Sequence, residues 1–79
     1  MARPRKAIDT STYTGRFAAR LKMLREKAGY SVVELAEASG IPKNTLIRWE
    51  AAQNSPPLET LPILADALEI RVRTLIPDA

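Results

Sequence analysis

Wound as a helix at about 100° per residue, positions 42–52 sort into two faces. Pro42, Thr45, Leu46 and Trp49 share one side, and Lys43, Asn44, Ile47, Arg48 and Ala51 share the other. The first set suits the inside of a small core. The second combines a Lys, an Asn and an Arg with an aliphatic Ile and a small Ala, which is what the major groove of duplex DNA asks of a protein. Arg or Lys donates to the two acceptors on guanine, Asn pairs bidentately with adenine, and an aliphatic group meets the thymine methyl. Taken by itself the wheel leaves a second reading open, an ordinary solvated face with one stray Ile.

Other chemistries have less to work with. The chain has no His and no Cys, so the commonest general base and two of the usual zinc ligands are missing. Disulfides and Cys-ligated zinc are thereby excluded. Glu34 and Glu37 fall one turn apart, and two carboxylates without His are expected to be solvated rather than to hold a metal. The only aromatic residues able to stack on a cofactor are Tyr13, Phe17, Tyr30 and Trp49. No enzyme, cofactor or metal site is expected.

At 79 residues, 46% apolar and 27% charged, the chain fits one small folded domain. Its longest apolar stretch, Leu61 to Ala65, is far short of a membrane span. The basic start runs into Asp9-Thr10-Ser11-Thr12, unlike a secretory signal. A cytoplasmic protein without a membrane partner is expected. Residues 1–27 carry eight Lys/Arg against Asp9 and Glu26, a net +6, whereas residues 28–79 carry four against seven acids, a net −3. That asymmetry suits a polyanion on one face, although a solvated basic helix with a frayed tail also fits.

A groove-reading face needs a helix held at a fixed angle, and the flanking sequence provides the holders. Residues 1–11 read as a flexible basic arm and 12–79 as the folded domain. Phe17, Leu21, Leu24 and Ala28 form one helical stripe, closed by Gly29. Ser31-Val32-Val33-Glu34 has the capping-box form and opens a second helix, about 31–39, with Leu35 and Ala36 inward and Gly40 as its stop. Pro42 starts a third, about 42–52. Gln53 to Pro57 is a loop by composition. A fourth helix begins near Thr60 with Leu61, Leu64, Ala65 and Leu68 inward, and a short last segment spans Ile70 to Ile76, ended by Pro77. The fold class expected is all-α, a bundle of five short helices. A capped helix, a glycine turn and a second helix with this outward face form a helix-turn-helix, and that order favours the groove over the solvated face.

At this point the chain resembles a family. Leu24-Arg25, Gly29-Tyr30-Ser31, Glu34-Leu35-Ala36, Gly40-Ile41-Pro42, Thr45-Leu46, Trp49-Glu50, Pro56, Leu58-Glu59-Thr60-Leu61, Leu64-Ala65, Ala67-Leu68 and Leu75 are similar, in order and spacing, to the Cro/CI-type (XRE-family) DNA-binding domain of phage repressors and bacterial regulators. The resemblance covers roughly residues 16–76 and implies a lambda-repressor-like bundle. It implies that Lys43, Asn44 and Arg48 read base edges, with Ile47 among them. It also implies an ion pair between Arg25 and Glu50 linking the first and third helices, with Arg25 near a phosphate. Further phosphate contacts are expected from Val32, Thr45, Gln53 and Asn54.

Two departures stand out. Where the family often has Gln at the start of the second helix this chain has Val32, which leaves only a backbone amide for a phosphate. Where the family usually has Gly after the recognition helix this chain has Ala51-Ala52, followed by the uncharged Gln53, Asn54 and Ser55. Weaker affinity per protomer than in a Lys-rich relative is the consequence. Arg3, Arg5 and Lys6 suit the minor groove, or only a tail adding non-specific attraction.

The functional expectation is a double-stranded DNA-binding transcriptional regulator, a repressor occupying an inverted repeat as a homodimer. The C-terminal segment with Val72, Leu75 and Ile76 is the candidate dimer contact, unless the protomer's own core claims it, Leu75 first. No residues are expected to remain for an effector domain. An antitoxin whose residues 1–14 fold on a toxin, and an interaction adaptor that reads no DNA, are the alternatives.

Overall fold

The computed structural model describes residues 11–77, and all its elements are helices: α1 Tyr13–Lys27, α2 Val32–Ser39, α3 Lys43–Glu50, α4 Thr60–Leu68 and α5 Val72–Leu75. The basic arm, with Arg3, Arg5 and Lys6, lies outside the described residues.

Each helix is bounded by local chemistry. Thr12 caps α1 by accepting the Gly15 N–H at 3.0 Å. At α2 the capping box is complete: the Ser31 hydroxyl accepts from Glu34 N at 3.0 Å, and Glu34 Oε1 accepts from Ser31 N at 2.8 Å. Four helices end on a residue in the left-handed region, Gly29, Gly40, Ala52 and Glu69. After α1, α3 and α4 the following amide reaches back to close a Schellman turn: Tyr30 N to Arg25 O, Gln53 N to Arg48 O and Ile70 N to Ala65 O.

The core joins Phe17 and Leu21 of α1, Leu35 of α2, Leu46 and Trp49 of α3, and Leu61, Leu64, Ala65 and Leu68 of α4, with Ile41 and Leu75. α2 packs on α3 and α4, α1 on α3 and α5, and α4 on α5. The inward sets expected for α4 and for Leu35 are found, and Leu75 is fully buried in its own protomer.

Three details differ from the sequence reading. On α1, Leu24 is only half-buried and Ala28 is exposed, while Gly15, Ala18 and Arg25 complete the buried face. The face runs Phe17, Ala18, Leu21, Arg25, because a charged residue takes the position an apolar stripe would fill. Pro42, placed inward on the wheel, is exposed, since it caps α3 rather than lying within it. α3 itself is shorter than the expected residues 42–52, ending at Glu50 with Ala51 as cap.

Candidate nucleic-acid interface

Leu46 and Trp49 anchor α3 to the core, and this rotates Lys43, Asn44, Ile47 and Arg48 outward. All four are exposed, and Ile47 stands 45% accessible. A large aliphatic group held in water between Lys43, Asn44 and Arg48 is the feature that separates this face from an ordinary polar one. Thr45 sits half-buried beside it. No side chain caps the N-terminus of α3, so its first amides point outward with no intrahelical acceptor.

The angle of α3 is held by Arg25. Its guanidinium grips Glu50 with two parallel bonds, Nε to Oε2 at 2.7 Å and Nη2 to Oε1 at 3.0 Å. Nη1 donates to the Tyr30 carbonyl at 2.7 Å. One side chain of α1 thereby joins the end of α3 to the turn that leads into α2. Both charged side chains are only 10% accessible, and the fork geometry is the strong form of this contact. The hydrogen bond to Glu50 raises the Arg25 pKa above its ordinary value; burial opposes this, and the charges of Glu50 and Glu26 add to it. All three of its nitrogens take part in bracing the fold.

Val32 is half-buried and packs against the core. The capping box occupies the amides of Ser31 and Glu34, leaving those of Val32 and Val33 as the outward donors of that helix end. Gln53, Asn54 and Ser55 are exposed, and the Schellman turn at Ala52 sets their direction.

Part of the basic charge of α1 is turned to structure. Arg20 Nε donates to the Thr74 carbonyl, and the Arg16 guanidinium carbon lies 5.5 Å from the centroid of the Tyr13 ring. Tyr13 in turn donates its hydroxyl to Pro77 O at 2.9 Å. Near this tie lies an open groove of about 200 Å³ lined by Tyr13, Phe17, Pro56, Leu58, Leu61 and Ile76, among others. Neither the Tyr30 carbonyl nor the Tyr13–Pro77 bond is foreseeable from residue spacing, because both depend on the packed fold. Ser39, one residue before the helix-stopping Gly40, bonds Leu35 O and the Ile41 amide through its hydroxyl, a contact that its place at the end of α2 makes available locally.

Comparison with known proteins bears on this arrangement. The profile of the helix-turn-helix family (HTH_3) matches residues 21–75. The chain belongs to that family. This helix-turn-helix domain is 39% identical over 56 residues to the HTH-type transcriptional regulator SutR of Escherichia coli (strain K12), covering 71% of the chain and 32% of SutR. It is 35% identical over 60 residues to the HTH-type transcriptional regulator SinR of Bacillus subtilis (strain 168), covering 75% of the chain and 54% of SinR. It therefore spans about a third to a half of the length of the curated relatives it matches. Among solved structures, an HTH_3 family transcriptional regulator from Vibrio cholerae superposes with a TM-score of 0.76 at 30% identity, over 80% of this chain and 35% of that one. The hypothetical transcription factor NHTF from Neisseria gives 0.79 at 21% identity, over 96% and 87%, a likeness of fold. Among the described residues no helix is long and apolar enough to cross a membrane, and no cluster of His, Cys, Asp and Glu could hold a metal ion.

Proposed function

We propose that this helix-turn-helix domain is a sequence-specific, double-stranded DNA-binding transcription regulator that acts as a repressor by occupying an operator. The observation that carries the reading is the outward set on α3, Lys43, Asn44, Ile47 and Arg48, on a helix anchored by Leu46 and Trp49 and gripped at its end by Arg25. Family membership and the names of SutR and SinR as transcriptional regulators support it.

In this reading Lys43 and Arg48 take guanine acceptors, Asn44 takes adenine and Ile47 meets a thymine methyl. Thr45, Gln53, Asn54 and the Val32 amide meet phosphates, and Arg3, Arg5 and Lys6 add attraction along the minor groove. Arg25 holds α3 and, as the resemblance implies, lies near a phosphate. One recognition helix reads only a few base pairs, so useful affinity calls for two copies on an inverted repeat. Val72 and Ile76, 38% and 36% accessible, are what the C-terminal segment offers to a second copy, Leu75 being committed to the core.

Selection from a randomised duplex library at about 150 mM salt, followed by a salt series on the winner, tests this. Enrichment of an inverted repeat with half-sites about one helical turn apart is the expected result. No enriched sequence, with residual binding that vanishes as salt rises, overturns it and leaves a toxin or other protein partner as the object of search.

A further inference from the structure

We propose that Ser39 is a positioning residue of the recognition helix, its hydroxyl fixing the angle at which α3 leaves α2. The inference rests on the reading of α3 as the DNA-reading element and names a residue that this reading has not used.

The turn between the two helices is short and poor in donors. Pro42 has no N–H, so Gly40 and Ile41 supply its amides. Gly40 N donates to Ala36 O at 2.8 Å, which closes α2. Ile41 N, on a residue buried in the core, donates not to backbone but to the Ser39 hydroxyl at 3.2 Å. That same hydroxyl donates to Leu35 O at 2.7 Å. A serine bonding back to the carbonyl four residues earlier is an ordinary local habit of helices. The second bond, forward to Ile41, is what makes the hydroxyl a bridge across the turn.

The bridge spans the residue at which the chain turns from α2 toward α3. Gly40 lies between its two ends at φ +78°, and apart from its chain neighbours nothing stands within 4 Å of where a Cβ would be. Leu46 and Trp49 seat α3 on the core, the Arg25–Glu50 grip holds its far end, and the Ser39 bridge holds the turn that leads into its near end. Without the hydroxyl the Ile41 amide loses its acceptor beside a buried side chain, and the turn into α3 is freer to shift at Gly40.

The test compares Ser39→Ala, Ser39→Cys and Ser39→Thr in the whole chain. One readout is independent of DNA: hydrogen exchange at the Ile41 amide, with residual dipolar couplings of α3 relative to α2. The other is the ratio of affinities for the selected duplex and a scrambled one at about 150 mM salt. In S39A the Ile41 amide is expected to exchange about 10-fold faster and the α3 couplings to leave the wild-type set. The affinity ratio is expected to fall about 10-fold with scrambled-duplex binding unchanged. S39T, which keeps the hydroxyl, restores both. S39C keeps the size with a weaker donor and acceptor and falls between, and it replaces S39A as the comparison should S39A fail to fold. Unchanged exchange and couplings overturn the proposal, as does S39T behaving like S39A, or equal losses on both duplexes. A wild-type chain that prefers no duplex overturns the DNA reading and the positioning role with it, while exchange and couplings show separately whether the hydroxyl sets the angle.

Discussion

Arg25 and Glu50, 25 residues apart in sequence, meet in a bidentate pair at 2.7 and 3.0 Å inside the fold. The pair joins α1, the longest helix, to the last residue of α3, so its loss is felt in both stability and the presentation of α3. Removing one partner leaves the other charge buried without compensation, at a cost of about 3 kcal/mol. Glu50→Ala is expected to lower stability by about that amount in denaturant titration, and to weaken duplex binding beyond what the unfolded fraction explains.

The alkaline behaviour of this pair follows from the raised pKa of Arg25. A cation whose folded value lies above its unfolded one contributes stability that is fully present below the unfolded value. That stability is lost only as pH rises through the folded value. For an Arg held above its already high ordinary value this lies beyond the usual working range, so melting temperatures between about pH 7 and 11 carry no loss from Arg25. Arg25→Lys brings the window down, because a Lys titrates from about 10.4 upward when paired. Thermal melts of the two proteins across that range should diverge above about pH 10.5, with the variant the less stable.

Ala52 occupies a left-handed turn at φ +60°, and Gly29 occupies the corresponding turn after α1 at φ +84°. A Cβ in that region costs about 1 kcal/mol. Ala52→Gly is therefore expected to stabilise by about 1 kcal/mol and to raise the melting temperature by about 5 °C. Gly29→Ala should do the reverse by a similar amount, since nothing lies within 4 Å of its added Cβ and only the backbone objects. Calorimetry of both reads the prediction directly.

On the selected duplex, Arg48→Ala, Lys43→Ala and Asn44→Ala are each expected to cost about 1–3 kcal/mol of binding and to relax preference at one base position. Ile47→Ala should relax a thymine. Repeating the selection with each variant checks this. Losses equal across all sequences would remove base reading from α3.

How much of this could be read beforehand follows from the range of each interaction. The capping box at Ser31 and Glu34, the stop at Gly40 and the inward Leu61, Leu64, Ala65 and Leu68 are set by neighbours within a few positions, and sequence displays them. The exposed quartet on α3 follows from the same periodicity once Leu46 and Trp49 are known to face inward. Arg25 is different: a charge belongs to a buried face only because Glu50 and the Tyr30 carbonyl converge on it, and hydrophobic patterning alone reads past it to Leu24. The ties of Arg20 to Thr74 and Tyr13 to Pro77 span 54 and 64 positions, beyond any local rule. They turn part of the basic helix away from the role that charge counting gives it.

Those long ties bear on the order in which the domain can be completed. Within this domain α1 is made before α5, yet Arg20 and Tyr13 find their partners only at Thr74 and Pro77, and Leu75 of α5 completes the core. The helix-turn-helix leaves the ribosome with one flank of α1 uncovered, and that flank closes only once residues 74–77 have cleared the exit tunnel. A chain stalled before that point carries the outward face of α3 on an unfinished body.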